Sequence, residues 1–274
     1  MPPASTTADW RPLAGPLAAE VRGAGPRIVF VHGFTQTGRS WKPVADRFAA
    51  LGHEVVIIDL PGHGGSGMAR ADLRTSADLL GQTAGPATYI GYSLGGRVVL
   101  HLAVMSPHIV DRVVVIGATP GLNDEAERAV RRTSDERFAR QILEIGVARF
   151  LDAWVDQAVF GGATLAEDEL ADRRRNTPEG LAASLRLCGT GSQLPLWESL
   201  SGINLPVLAL AGEHDAKFLP IAERIAASVR DGAFATVLGA GHAAHLQQGA
   251  QVAARIELWL RKGRGARNLG QLSC

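Results

Sequence analysis

The pentapeptide Gly91-Tyr92-Ser93-Leu94-Gly95 closes the apolar run Ala87-Thr-Tyr-Ile-Gly-Tyr92 and opens a helix-like pattern from Val98 to Ala103. A strand that stops, a sharp turn with serine at its apex and a helix that starts define a nucleophile elbow. Gly91 and Gly95 permit the close approach of strand and helix that the turn needs, and the serine is held in a strained backbone conformation. A serine hydroxyl is a poor base and a poor nucleophile near neutral pH, so Ser93 needs a histidine to take its proton. In elbow folds the chain order is serine, acid, histidine.

Five histidines follow Ser93: His101, His108, His214, His242 and His245. His101 falls inside the elbow helix and His108 follows Pro107 at a helix end. Gly239-Ala-Gly241-His242 lies just past a strand in a glycine loop, which suits a histidine that must reach over the elbow. His245, three residues on, reads as a loop-pinning side chain. For the acid, Gly212-Glu213-His214-Asp215 follows the preceding strand. Asp215 is the choice and Glu213 the alternative, and spacing alone does not separate them. The acid's role is to hold the tautomer of His242 and stabilise its imidazolium. Two preorganised N–H donors complete such a site. Leu94, at the start of the elbow helix, supplies one. Phe34, in His32-Gly33-Phe34 after a strand, supplies the other. His32 and His63 read as loop architecture.

The elements that must hold these residues alternate between strand and helix. Arg27–Val31, Gly52–Asp59, Ala87–Tyr92 and Asp111–Gly117 are strand-like apolar runs. Residues 41–51, 72–83 and the elbow helix lie between them, which predicts a mostly parallel sheet covered on both faces. Residues 1–26 have room for a short edge strand and carry no site signal. From Pro120 to Leu200 only helical patterns occur: Glu125–Glu144, Val147–Val159, Glu167–Arg175 and Pro178–Cys188. Strand patterns return at Leu205–Ala211 and Phe234–Leu238, followed by a helix from Ala250 to Arg261. The expected organisation is an α/β core over 1–119 and 201–262, a helical cap over 120–200 and a basic tail over 263–274.

Composition narrows the function. The chain has 274 residues, 46% of them hydrophobic, with a net charge of +1. That is core enough for a large α/β domain, and the balanced charge argues against nucleic acid and against a polybasic membrane patch. The two cysteines, Cys188 and Cys274, form no disulfide framework or zinc pattern and fit a reducing compartment. The N-terminus has no basic and apolar leader regions, and no apolar run approaches the ~20 residues that span a bilayer. The expectation is a cytoplasmic protein without metal or organic cofactor.

The ordered set His32-Gly33, Asp59-Leu-Pro-Gly-His-Gly-Gly-Ser66, the elbow, a helical cap, Gly-Glu-His-Asp215 and Gly-His242 resembles the α/β-hydrolase superfamily across residues 27–262. Finer motifs resemble one family within it. Tyr92-Ser93-Leu-Gly-Gly-Arg97, Arg131-Arg-Thr-Ser-Asp135, Phe150-Leu-Asp-Ala-Trp154, Arg173-Arg-Arg-Asn176 and Asp215-Ala-Lys-Phe218 are similar to those of the 2-succinyl-6-hydroxy-2,4-cyclohexadiene-1-carboxylate synthases of menaquinone biosynthesis. That resemblance implies a Ser93–His242–Asp215 triad and a substrate-binding set of Tyr92, Arg97, Arg131, Trp154 and Arg175. Helix periodicity does not say which of Arg173, Arg174 and Arg175 turns inward. The implied reaction is elimination of pyruvate from a small polycarboxylate cyclohexene, with Ser93 as base. Guanidinium groups suit carboxylates and would suit a fatty ester badly. Fold does not dictate reaction, so two rivals stand beside this reading. One is a carboxylesterase, thioesterase or C–C hydrolase with Ser93 as covalent nucleophile. The other is a ligand-sensing receptor.

Overall fold

A computed structural model describes residues 9–155 and 166–262. Its centre is an eight-stranded sheet in the order β1-β2-β4-β3-β5-β6-β7-β8. The strands are β1 (Arg11–Leu13), β2 (Ala19–Arg22), β3 (Arg27–Val31), β4 (Glu54–Ile58), β5 (Ala87–Tyr92), β6 (Val110–Ile116), β7 (Pro206–Gly212) and β8 (Asp231–Val237). β1 and β2 pair antiparallel at one edge. From β4 to β8 every pairing is parallel. β5 and β7 are buried along their whole length, as expected for central strands covered on both faces.

Helices α1 (Lys42–Ala50), α2 (Leu73–Ala84), α3 (Leu94–Met105), α7 (Leu219–Ser228), α8 (Ala244–Gln247) and α9 (Gly249–Arg261) belong to the core. One apolar cluster packs α2, α3 and α7 on one sheet face. A second packs α1 and α9 on the other, around Phe30, Trp41 and Phe48. Between β6 and β7 lie α4 (Glu125–Val155), α5 (Glu167–Arg173) and α6 (Pro178–Cys188). α4 breaks at Gly146, whose φ of 78° is non-helical and costs a glycine little. α4 and α6 share their own small core of Ala139, Ile142, Phe150, Leu151, Leu181 and Leu185.

The repeated strand–helix pattern and the helical insertion stand where their periodicities place them. Four elements, β1, β2, α7 and the short α8 that carries His245, differ from expectation. The N-terminal segment forms two strands, β1 and β2, each too short to show an alternating pattern. α7 has no counterpart in the sequence reading, although Leu219, Ala222 and Ile225 recur at helical spacing and pack against the sheet. The end of the expected helix Val147–Val159 and the tail 263–274 lie outside the described residues. No helix among the described residues is long and apolar enough to cross a membrane.

Candidate active site

Ser93 sits between β5 and α3 with φ 49° and ψ −108°, a conformation that only a tightly held non-glycine residue keeps. The glycines around it explain the turn. A Cβ on Gly91 would lie 2.5 Å from the backbone of Gly95, and one on Gly95 would lie 2.3 Å from the Val31 carbonyl oxygen. The backbone N–H of Ser93 donates to the Ile116 carbonyl, which locks the apex to β6.

The loop after β8 brings His242 over this apex. Its Nε2 lies 3.2 Å from Ser93 Oγ, and its Nδ1 lies 2.7 Å from Asp215 Oδ2. Asp215 is buried on the loop after β7, and its other oxygen accepts from the Phe218 N–H at 3.3 Å. With Nδ1–H donated to the carboxylate, Nε2 is free to accept the serine proton. The ring of Phe218 packs 4.5 Å from that of His242. Gly117 leaves the imidazole room, since a Cβ there would be 2.9 Å from its Cε1.

Space distinguishes what chain spacing left open. Glu213 is exposed and accepts from the Gly239 N–H, so Asp215 is the carboxylate that meets His242. His245 is buried between Tyr92 and Trp41, with ring centroids 4.2 and 4.4 Å away. Its Nε2 meets the Gln36 amide at 3.2 Å, and that Gln36 oxygen accepts from the Gly33 N–H. His245 thus braces the loop after β3. His101 is likewise buried and bonds to the Arg97 carbonyl within α3.

A cavity of about 490 Å³ opens above Ser93 and His242, between the sheet and α4 and α6. Phe34 and Leu94 line it. Leu94 is the first residue of α3, so its N–H belongs to the unsatisfied first turn of a helix. Tyr92, Arg97, Arg131 and Trp154 also line it. Arg97 is buried, with Nη1 donating to the Cys188 carbonyl at 2.5 Å and lying 3.5 Å from Gln193 Oε1. Burial pushes its guanidinium down to about 10, so it stays cationic at neutral pH. Arg131 Nε donates to Asp135 at 2.8 Å. Trp154 stands edge-on to Phe34, 5.2 Å between centroids. Burial raises the Tyr92 hydroxyl well above its usual range.

Arg175 requires a correction. It does not line the cavity: its guanidinium pairs with Asp172 at 2.6 Å, and its side chain is 40% exposed. The helical phase of α5 turns Arg173 inward instead. Arg173 is buried, bonded to Glu169 and to Thr35 Oγ1, both at 2.9 Å. Lys217, quoted from the sequence only as part of a motif, lines the cavity as well. Desolvation, then the nearby Arg131, lowers its ammonium. Its place two residues after Asp215 was the available signal. No cluster of three or more metal-ligating side chains occurs among the described residues.

Two buried histidines tie the loops beneath the cavity. His32 Nδ1 donates to the Gly33 carbonyl and its Nε2 accepts from the Leu60 N–H. His63 Nδ1 donates to the Pro61 carbonyl. The rings meet at 4.9 Å. Burial lowers His32 from 6.5 to about 4, against the opposing Gly33 bond. Burial, then its neighbour His32, lowers His63 from 6.5 to about 3. Both are therefore neutral when folded and bind protons only on unfolding below the ordinary histidine range. Stability from these groups is complete above about pH 6.5 and is lost as pH falls toward 4 and then 3. Each contributes a slope of up to about 1.4 kcal/mol per pH unit in that window. Urea unfolding followed from pH 7 to pH 4 should show this decline, and His32→Asn should flatten it. A free energy flat over that range would contradict the assignment of neutral, buried rings.

Residues 28–255 match the alpha/beta hydrolase family, and the chain belongs to that family. The 2-succinyl-6-hydroxy-2,4-cyclohexadiene-1-carboxylate synthase of Salmonella arizonae is 35% identical over 235 residues, covering 83% of this chain and 90% of that protein. The synthase of the same name from Salmonella newport matches to the same extent. Among solved structures, MenH from S. aureus superposes with a TM-score of 0.83 at 28% identity, over 89% of this chain and 98% of that one. A thermophilic esterase from Thermogutta terrifontis shares the fold, with a TM-score of 0.79 at 22% identity over 93% and 99% of the two chains.

Proposed function

We propose that this protein is a carbon–oxygen lyase. It eliminates pyruvate from 2-succinyl-5-enolpyruvyl-6-hydroxy-3-cyclohexene-1-carboxylate to give 2-succinyl-6-hydroxy-2,4-cyclohexadiene-1-carboxylate, in menaquinone biosynthesis. The observation that carries this reading is a serine–histidine–aspartate relay at the floor of a cavity that also holds Arg97, Arg131 and Lys217. Such a cavity suits a small ligand with several carboxylates, each able to take a charge-assisted hydrogen bond. The proposed substrate has carboxylates on the ring, the succinyl arm and the enolpyruvyl arm. The 35% identity to synthases of this name supports the same reading.

In the proposed reaction, His242 Nε2 takes the Ser93 hydroxyl proton while Ser93 Oγ takes the ring proton at C2, α to the succinyl ketone. Asp215 stabilises the resulting imidazolium. The ketone oxygen gains charge and is met by the N–H groups of Phe34 and Leu94. The electron pair moves through the C3–C4 double bond to C4–C5 and breaks the bond from C5 to the enolpyruvyl oxygen. The departing enolate takes the proton that His242 Nε2 acquired and becomes pyruvate. Serine and histidine return to their starting protonation, and no acyl-enzyme forms. Tyr92, Arg97, Arg131, Trp154 and Lys217 are the proposed substrate contacts. The location proposed with this reading is the cytoplasm, in keeping with two cysteines that form no disulfide framework.

Incubating the purified protein with the enolpyruvyl substrate and following pyruvate by a coupled dehydrogenase tests this directly. Stoichiometric pyruvate and a new diene absorbance are expected. Absence of pyruvate, together with a trapped acyl-serine on simple esters, would replace the lyase reading by a hydrolase one. Tight binding without turnover would replace it by a receptor.

A further inference from the structure

Two non-glycine residues with positive φ occur among the described residues, Ser93 and Thr35. They flank the two backbone donors of the proposed oxyanion hole, one directly before Leu94 and the other directly after Phe34. At Ser93 the surrounding glycines account for the turn. Thr35, at φ 68°, is β-branched, and such a residue in the left-handed region needs its surroundings to hold it there.

Within the core, the Gln36 N–H closes a turn on the Gly33 carbonyl across Phe34 and Thr35 at 3.2 Å; the bonds to Thr35 itself come from outside the core, from α5 and the turn behind it. Asn176 Nδ2 donates to the Thr35 carbonyl at 2.7 Å and to the Arg173 carbonyl at 2.9 Å, and its Oδ1 accepts from the Gly64 N–H at 2.8 Å. Arg173 Nη1 donates to Thr35 Oγ1 at 2.9 Å. Further along the same loop, Thr37 Oγ1 donates to Asp172 and Ser40 Oγ to Glu169. Thr35, Arg173 and Asn176 are all buried. Every polar atom of the Asn176 amide is used, on three separate segments: the Phe34 loop, the Gly62–Ser66 loop and the end of α5.

From this arrangement we infer that Asn176, seconded by Arg173, is a positioning residue of the oxyanion hole. It holds Thr35 in its strained conformation and so keeps the Phe34 N–H aimed at the reacting oxygen. The amide touches neither substrate nor triad and acts through the Thr35 carbonyl. The inference rests on the reading of Phe34 as an oxyanion donor. It adds that the hole is completed by the helical insertion and is not built by the core alone.

Crystal structures and steady-state kinetics of Asn176→Ala and Asn176→Asp test it. The aspartate variant keeps the acceptor for Gly64 and loses the donor to Thr35, which guards against an alanine variant that fails to fold. Thr35 is expected to relax to negative φ with Phe34 displaced. kcat should fall by about 10- to 100-fold, short of the 10²–10³ typical of losing a donor outright, with KM within about threefold. Arg174→Ala serves as the control: its side chain is exposed and pairs with Glu167, so wild-type kinetics are expected. An unmoved Thr35 in the folded variants would overturn the inference, as would a relaxed loop with undiminished kcat. If the wild-type protein releases no pyruvate, the lyase reading falls, while the position of Thr35 in the variants still judges the strut.

Discussion

Ser93→Ala should lower kcat for pyruvate release by about 10³-fold or more, within the range that a positioned acid–base group contributes. KM should change little. The substitution removes one oxygen from the floor of the cavity. It leaves Arg97, Arg131 and Lys217, the charges proposed to hold the substrate, in place. His242 stays fixed to Asp215 at 2.7 Å and packed against Phe218, so the variant isolates the loss of Oγ from any loss of structure. Steady-state pyruvate release decides the matter, with thermal unfolding to verify the fold. Retention of more than about a tenth of wild-type kcat would mean that His242 reaches the ring proton without the serine, and Ser93 would lose its role as base.

The second large effect is expected at Arg97. Arg97→Ala should raise KM by about 10- to 100-fold, the equivalent of the 1.5–3 kcal/mol associated with a hydrogen bond to a charged group. kcat should hold within a few-fold, because the bond from Arg97 to the relay residues is its backbone N–H to the Ser93 carbonyl, which alanine keeps, while its guanidinium bonds to Cys188 and Gln193. Its Nη1 is tied to the Cys188 carbonyl, which orients the guanidinium toward one wall of the cavity. Arg97→Lys keeps the charge and loses the planar fork, so an intermediate KM is expected. KM equal to wild type in both variants would remove Arg97 from the substrate contacts. A parallel loss of kcat and stability would instead mark Arg97 as a structural link between α3 and the Cys188 turn.

The features legible in the sequence are those that depend on neighbours along the chain. Gly91 and Gly95 declare the elbow because strand and helix must pass within backbone contact there. Buried valine and isoleucine runs declare the parallel strands, and the long stretch without them declares the helical insertion. Motifs in order were enough to indicate the α/β-hydrolase fold, which the family match and the sheet order both show. β1, β2 and α7 were less visible. The strands are too short to carry a period, and the helix starts directly after the loop that holds Asp215, where Phe218 and Leu219 continue it without a break.

What only the tertiary structure decided is everything set by distance between segments far apart in the chain. Glu213 and Asp215 are two residues apart, and either satisfies the order serine, acid, histidine. The loop after β7 exposes one and buries the other against His242. Arg173, Arg174 and Arg175 are adjacent and identical in type, so no periodicity ranks them. Packing of α5 on the Phe34 loop buries Arg173 and leaves the others facing acidic partners at the surface. The role inferred for Asn176 has no local signature at all, because an asparagine after three arginines reads as a helix end. Its meaning comes from Thr35, 141 residues earlier. Sequence alone determined where the proposed proton-transfer chemistry of this protein is concentrated. The fold decided which charges face the cavity and what holds the Phe34 loop in place, since those depend on side-chain direction and burial, which chain spacing does not encode.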